Sequence, residues 1–180
     1  MHGLVLSELS RFTGERFGEE MWGLVQQRAG LGDRAYVTSE TYPDSEFAAL
    51  VGALASRSGA DIQALLEQFG EFIAPTLMND YKPYIKPEWK TLDTLEHTEN
   101  NSHRAVRLQD PLAAPPRLKV RRVNPNEVVI IYESDRKLCS MAKGIARGIA
   151  DYFGEHIAIN ELTCMLKGKS SCTIAFTKIP

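Results

Sequence analysis

The chain has few cysteines, no long apolar run and no surplus of positive charge, and each shortage removes a class of function. Three cysteines in 180 residues are a sparse and odd set, which excludes a disulfide framework and fits a reducing compartment. No stretch reaches the roughly 18 consecutive apolar residues that span a bilayer. The opening MHGLVLSELSRF lacks the basic region and small-residue cleavage site of a secretory signal, so a cytoplasmic location with no membrane partner is expected. A formal net charge of -2 leaves no basic excess to neutralise phosphates, which argues against nucleic acid as a partner. No internal repeat, low-complexity tract, nucleophile–base set or kinase signature is visible, so a non-enzymatic role is expected. What is present is ordinary for a globular protein, with 43% hydrophobic and 24% charged residues. The length suits one compact domain, or two small lobes sharing a core.

The spacing of apolar residues changes near residue 110. Before it, the pattern is helical. Leu4, Leu6, Leu9 and Phe12 mark one amphipathic stretch, which Gly14 weakens toward its end, and Phe17, Met21, Trp22 and Val25 mark a second, closed by Gly30 and Gly32. Tyr36 to Tyr42 is polar and β-prone and is expected to be a connection. Pro43-Asp44-Ser45-Glu46 opens a helix carrying Phe47, Leu50, Val51 and Leu54. Asp61 caps another with Ile62, Leu65, Leu66, Phe69 and Ile73, and Pro75 is expected to kink or interrupt it. Residues 79–88 hold Pro83 and Pro87 and predict a loop. Leu92, Leu95, His103 and Val106 predict one further helix with polar residues between them.

After Pro111, Pro115 and Pro116, which form a rigid connector, the period becomes two. Strands are predicted over 117–123 and 128–134 around the turn residues Asn124-Pro125-Asn126, then a helix over 136–153, then strands over 156–164 and 171–179 joined at Gly168. Helices followed by β-β-α-β-β give an α+β fold with a four-stranded antiparallel sheet.

The residues that carry chemistry cluster at the joint between the two parts. Tyr132 and Ser134 share one face of a strand, and Arg136 follows where the chain turns. Two hydroxyls and a guanidinium fork suit a carboxylate, although a strand end with a solvated or acid-paired arginine has the same pattern. Upstream, His103 is one of four histidines. A neutral imidazole is a good iron ligand, yet spacing alone does not choose His103 over His97.

His103, then Pro115-Pro116-Arg117-Leu118, then Tyr132-x-Ser134-x-Arg136 resembles the H-NOX (haem-nitric oxide/oxygen binding) family, of the stand-alone bacterial sensor type. The opening MHGLVLSEL, the stretch Phe17-Gly18-Glu19-Glu20-Met21-Trp22 and Gln68-Phe69-Gly70 are similar to it as well. The resemblance implies a single domain over residues 1–180, with haem b between a helical part (1–110) and a sheet part (111–180). It implies that His103 ligates the haem iron and that Tyr132, Ser134 and Arg136 bind the propionates. Pro116 would press on the porphyrin and distort it.

Oxygen-binding members of the family supply a tyrosine hydroxyl at a place that looks like Met141 here. A thioether donates no hydrogen bond, and the other distal candidates, Val5, Ile73, Leu77 and Ile145, are apolar. The resemblance therefore implies nitric oxide and carbon monoxide as ligands rather than oxygen. Some members carry zinc at cysteines matching Cys139, Cys164 and Cys172. Three thiolates are one short of a tetrahedral set, Glu161 is a candidate fourth ligand, His156 is less well placed, and reduced thiols are the default. Two departures stand out: Ser102 precedes His103 where an apolar residue is commoner, and Leu95 to Asn100 is unusually polar. The implied mechanism is ligand-driven loosening of the tie through His103, read by a histidine kinase, a cyclic-di-GMP enzyme (diguanylate cyclase or phosphodiesterase) or a chemotaxis receptor. The alternatives are a haem-free or haem-poor module of the same fold that binds an apolar ligand or a protein, and a small redox enzyme using the cysteines.

Overall fold

The computed structural model describes residues 1–109 and 113–179. It forms two compact units, Met1–Phe69 and Gly70–Pro180. The division falls inside a helix, away from the change of period near residue 110, and Pro111 lies outside the described residues.

The first unit contains helices α1 (Gly3–Phe17), α2 (Glu20–Arg28), α3 (Asp44–Ser58) and the opening turns of α4 (Ile62–Asp80). The predicted apolar stripes are its core: Leu6, Leu9, Phe12, Val25, Phe47, Leu50, Leu54, Leu65 and Phe69 are all buried. Phe12 and Phe47 both pack on Phe69, with ring centroids 5.6 and 6.2 Å away. Gly59, with φ at 70°, ends α3 in the left-handed conformation. Asp61 caps α4, its Oδ1 accepting the backbone N–H groups of Gln63 at 2.9 Å and Ala64 at 3.0 Å.

The second unit holds the rest of α4, then α5 (Thr91–His97), a π-helical turn (Glu99–His103), α6 (Arg104–Gln109), β1 (Arg117–Asn124), β2 (Glu127–Glu133), α7 (Cys139–Tyr152), β3 (His156–Thr163) and β4 (Cys172–Ile179). The strands make one antiparallel sheet in the order β1-β2-β4-β3. Period two selects its buried face: Val128, Ile130 and Tyr132 of β2 stand in register with Phe176, Ile174 and Cys172 of β4. Cys139, Ala146 and Ile149 of α7 and Leu92 and Leu95 of α5 complete this core. The predicted α+β class and four-stranded antiparallel sheet are found.

Three local expectations need correction. Pro75 does not interrupt α4, which runs on to Asp80 and takes in the first two residues of the predicted loop, while residues 81–90, with a 3-10 turn at Lys82–Tyr84, connect it to the next helix. Proline removes the donor for one carbonyl, that of Glu71. Burial of Phe69, Ile73, Ala74 and Met78 supplies the packing that sustains a helix in spite of it. The helix after β2 starts at Cys139 rather than Arg136, because Lys137 has φ 52° and a left-handed residue cannot sit in a right-handed helix. Lastly, the helix predicted around His103 is broken by the π-helical turn.

Candidate functional site

His103 closes the π-helical turn. Its backbone N–H donates to the Thr98 carbonyl at 3.0 Å, the i→i+5 bond that widens a helix locally and recurs at functional sites. The side chain is mostly buried, with 16% exposure. Nδ1 lies 3.1 Å from Glu99 Oε2, and Nε2 has no hydrogen-bond partner among the described residues. Glu99 is a three-way junction. Oε2 also accepts the Leu118 backbone N–H at 3.1 Å, and Oε1 accepts the Arg107 guanidinium. Burial alone would raise its pKa, but His103, Arg107 and the Leu118 N–H together hold it down at about 2. A second tie fixes the segment ahead of this turn: Arg122 of β1 reaches Asp93 at 2.6 Å and Glu96 at 2.9 Å. The competing His97 is engaged elsewhere, its Nδ1 3.0 Å from the Asp93 carbonyl and its ring 4.4 Å from that of Trp89.

Tyr132, Ser134 and Arg136 occupy the end of β2 and the turn after it. Lys137 N–H donates to the Ser134 carbonyl at 3.1 Å, and Arg136 N–H to Ser134 Oγ at 3.3 Å. The turn thus holds Arg136 against Ser134, two residues beyond Tyr132 on β2. Tyr132 is 3% exposed. Burial pushes its phenol pKa up, while Ser134, the Leu138 backbone and the Arg136 charge act the other way. The Arg136 guanidinium donates to the Ala114 carbonyl, which ties the turn to the connector. Pro116, half-buried, stands in that connector two residues before the N–H that Glu99 accepts.

The apolar candidates Ile73, Leu77, Met141 and Ile145 lie on α4 and α7, which meet backbone to backbone. A Cβ on Gly70 would lie 2.2 Å from the Met141 carbonyl oxygen, and one on Gly148 would lie 2.7 Å from the Glu71 carbonyl that Pro75 leaves without its usual donor. Glycine at both positions is therefore a condition of the crossing. Ile73 is fully buried and Met141 is 8% exposed, while Leu77 and Ile145 are half-buried. Val5, on α1, belongs to the first unit and is half-buried. A separate open pocket of about 560 Å³ is lined by Tyr84, Ile85, Asn101, Arg104 and Leu108 and contains none of the predicted residues.

The profile described as "Haem-NO-binding" matches residues 2–161. The chain belongs to the haem-NO-binding, or H-NOX, family. This is a family of haem-binding gas sensors. Its fold is that of an H-NOX protein from S. oneidensis in the Fe(II)NO ligation state, with a TM-score of 0.92, 23% identity and 100% of both chains covered. The Fe(II) unliganded H-NOX protein from K. algicida superposes with a TM-score of 0.84 at 20% identity, over 100% of this chain and 97% of that one. A curated relative, soluble guanylate cyclase 89Db of Drosophila melanogaster, is 21% identical over 137 residues, 76% of this chain. The chain spans only 20% of that relative's length.

The residues fit the group this family binds. An H-NOX domain needs an imidazole nitrogen able to reach iron, and Nε2 of His103 has no partner among the described residues while Nδ1 is held. Haem propionates need hydrogen-bond donors, and the turn over 132–136 gathers two hydroxyls and a guanidinium.

In this H-NOX chain the cysteines also come together. Cys139, Cys164 and Cys172 are all buried and unbridged, with their sulfurs within 4.8 Å of one another. Burial and the two other sulfurs push the Cys139 thiol up to about 12, and burial raises that of Cys172. Glu161 does not join them. Its carboxylate is held 3.3 Å from Lys143 and 3.0 Å from Lys167, and no other His, Asp or Glu completes the cluster among the described residues. His156, at the exposed start of β3, does not join it either.

Glu99 and Arg107 escaped notice in the sequence, although Glu99-x-x-x-His103-x-x-x-Arg107 is an i, i+4, i+8 series that marks one helix face. The glycines of the α4–α7 crossing carried no comparable signal.

Proposed function

We propose that this H-NOX domain senses nitric oxide, and binds carbon monoxide, at a ferrous haem b held by His103, and reports the ligation state to a signalling protein. The observation that carries this reading is His103 itself, a mostly buried imidazole with one nitrogen fixed by a carboxylate and the other without a partner among the described residues. When bound, the haem iron would supply the site for the diatomic gas, with His103 as the imidazole that would hold the iron. Tyr132, Ser134 and Arg136 would hold the propionates through charge-assisted hydrogen bonds, and Pro116 would bear on the porphyrin. Met141, Ile73, Leu77 and Ile145 offer no hydrogen-bond donor to a bound gas, which disfavours oxygen.

His103 also transmits the signal. It is joined to β1 through Glu99 and Leu118, so a change in how its ring is held would shift the π-helical turn and the start of the sheet together. A partner that prefers one arrangement reads that shift. A histidine kinase, a cyclic-di-GMP enzyme and a chemotaxis receptor each meet this requirement. The chain acts as the input and is not itself an enzyme, and no described helix is long and apolar enough to cross a membrane. The cysteine cluster is assigned as three reduced, buried thiols, because Glu161 is committed to two lysines. Metal analysis should find well under one zinc per chain, and a full equivalent would contradict that assignment.

Absorption spectroscopy of the ferrous protein with nitric oxide, carbon monoxide and oxygen tests the reading. Strong haem bands that respond to the first two gases and not to oxygen are expected. Protein that takes up no haem would restore the haem-free module as the better account, and a stable oxygen complex would overturn the selectivity.

A further inference from the structure

We propose that Glu99 is the positioning residue of His103, and that its carboxylate sets the strength of the bond between His103 and iron while linking that bond to strand β1. The inference rests on the haem reading above and goes one step further, to how the site is regulated. An imidazole whose Nδ1–H donates to a carboxylate has its tautomer fixed, with the lone pair on Nε2. It also becomes a more basic, more anionic ligand than one that donates to a neutral carbonyl. Glu99 Oε2 stands 3.1 Å from His103 Nδ1, which is hydrogen-bond distance.

The carboxylate is itself held in place. Arg107 binds Oε1, and the Leu118 backbone N–H binds Oε2 at 3.1 Å. Glu99 thus holds His103 one helical turn after itself, Arg107 a further turn on, and Leu118 on the sheet. The i, i+4 spacing presents Glu99 and His103 on one face, while the backbone bond of His103 runs back to Thr98. His103 and Leu118 N–H share the same oxygen. Displacement of the imidazole would therefore alter the hydrogen bond at the start of β1 through this one carboxylate.

The test compares wild type with Glu99→Gln, Glu99→Ala and Arg122→Met, the last loosening the same segment from β1 without touching Glu99. Resonance Raman of the ferrous, gas-free protein reads the iron–histidine stretch. The expected order of frequency is wild type, then Glu99→Gln, then Glu99→Ala, with Arg122→Met unmoved. The haem reduction potential should rise in the first two variants, since an anionic ligand partner favours the ferric state. Haem transfer to apomyoglobin should quicken about 10-fold in Glu99→Ala, the low end of what loss of such a partner costs a metal site. A readout without haem is the nitrogen NMR spectrum of His103 in the apo-protein, where the Nδ1-protonated tautomer should dominate and be lost in Glu99→Ala.

Haem-loaded protein whose stretch is the same in wild type, Glu99→Gln and Glu99→Ala overturns the proposal and leaves the haem reading standing. An equal shift in Arg122→Met overturns it too, because general loosening would then explain the effect. Wild-type protein with no haem band at all overturns the underlying reading and the proposal with it.

Discussion

The second unit contains two regions built on opposite physical terms. Where α4 crosses α7, and on the sheet face beneath α7, structure is held by packing. Gly70 and Gly148 let backbone meet backbone, and Val128, Ile174 and Cys172 are at most 1% exposed. Around His103 it is held by polar contacts on a widened helical turn: Glu99 with His103, Arg107 and Leu118, and Arg122 with Asp93 and Glu96. Close packing has one arrangement, and departures from it cost energy at once. Hydrogen bonds and ion pairs can be exchanged for others or for water at a small net cost. The first region gives a frame and the second gives a part able to move against it, which is the division of labour a sensor requires.

The sharpest way to break the contrast is to open a cavity in the packed region. Ile174→Ala should cost about 2–5 kcal/mol, read as a lowered midpoint in urea, whereas an effect near zero would mean the sheet face is not the frame. Overfilling the crossing comes next. Gly70→Ala places a methyl group against the Met141 carbonyl and should cost about 1–3 kcal/mol, seen as a fall in Tm. Its absence would show that the two helices separate easily.

The polar region should respond to pH instead. Glu99 has its pKa depressed from the ordinary 4.5 to about 2 in the folded chain. Its contribution to stability is therefore fully present above pH 4.5 and is lost as pH falls toward 2. In haem-free protein the stability difference between wild type and Glu99→Gln should shrink across that window, and a difference constant with pH would contradict the assignment. The smallest effect is expected at the rim of the crossing. The Arg147–Glu71 pair, at 3.0 Å with both side chains about 40% exposed, should be worth no more than ~1 kcal/mol to Arg147→Met in a denaturation experiment.

The same contrast separates what the sequence showed from what it hid. Alternation of Val128, Ile130 and Tyr132 announced both β2 and its buried face, because a strand's period is a property of the residues themselves. The Tyr132, Ser134, Arg136 turn and the meeting of the three cysteines were also legible, the latter because a hairpin must bring Cys164 and Cys172 together. The start of α7 was not, since a left-handed Lys137 carries no mark that distinguishes it from a helical lysine. Nor was the continuity of α4 through Pro75, which depends on what packs against it. The π-helical turn was invisible for the same reason, whereas the pairing of Glu99 with His103 and Arg107 was marked by their i, i+4, i+8 spacing. The polar run Glu96 to Asn100 looked like a departure from a haem-lining helix. Its carboxylates are instead the ones that grip Arg122, Arg107 and His103.

The most direct test of the account is the absorption spectrum of His103→Gly purified with and without imidazole. The account predicts that haem is lost or weakly held without imidazole and that added imidazole restores a spectrum like that of wild type. Haem binding and an unchanged ferrous spectrum in the absence of imidazole would show that another residue ligates the iron.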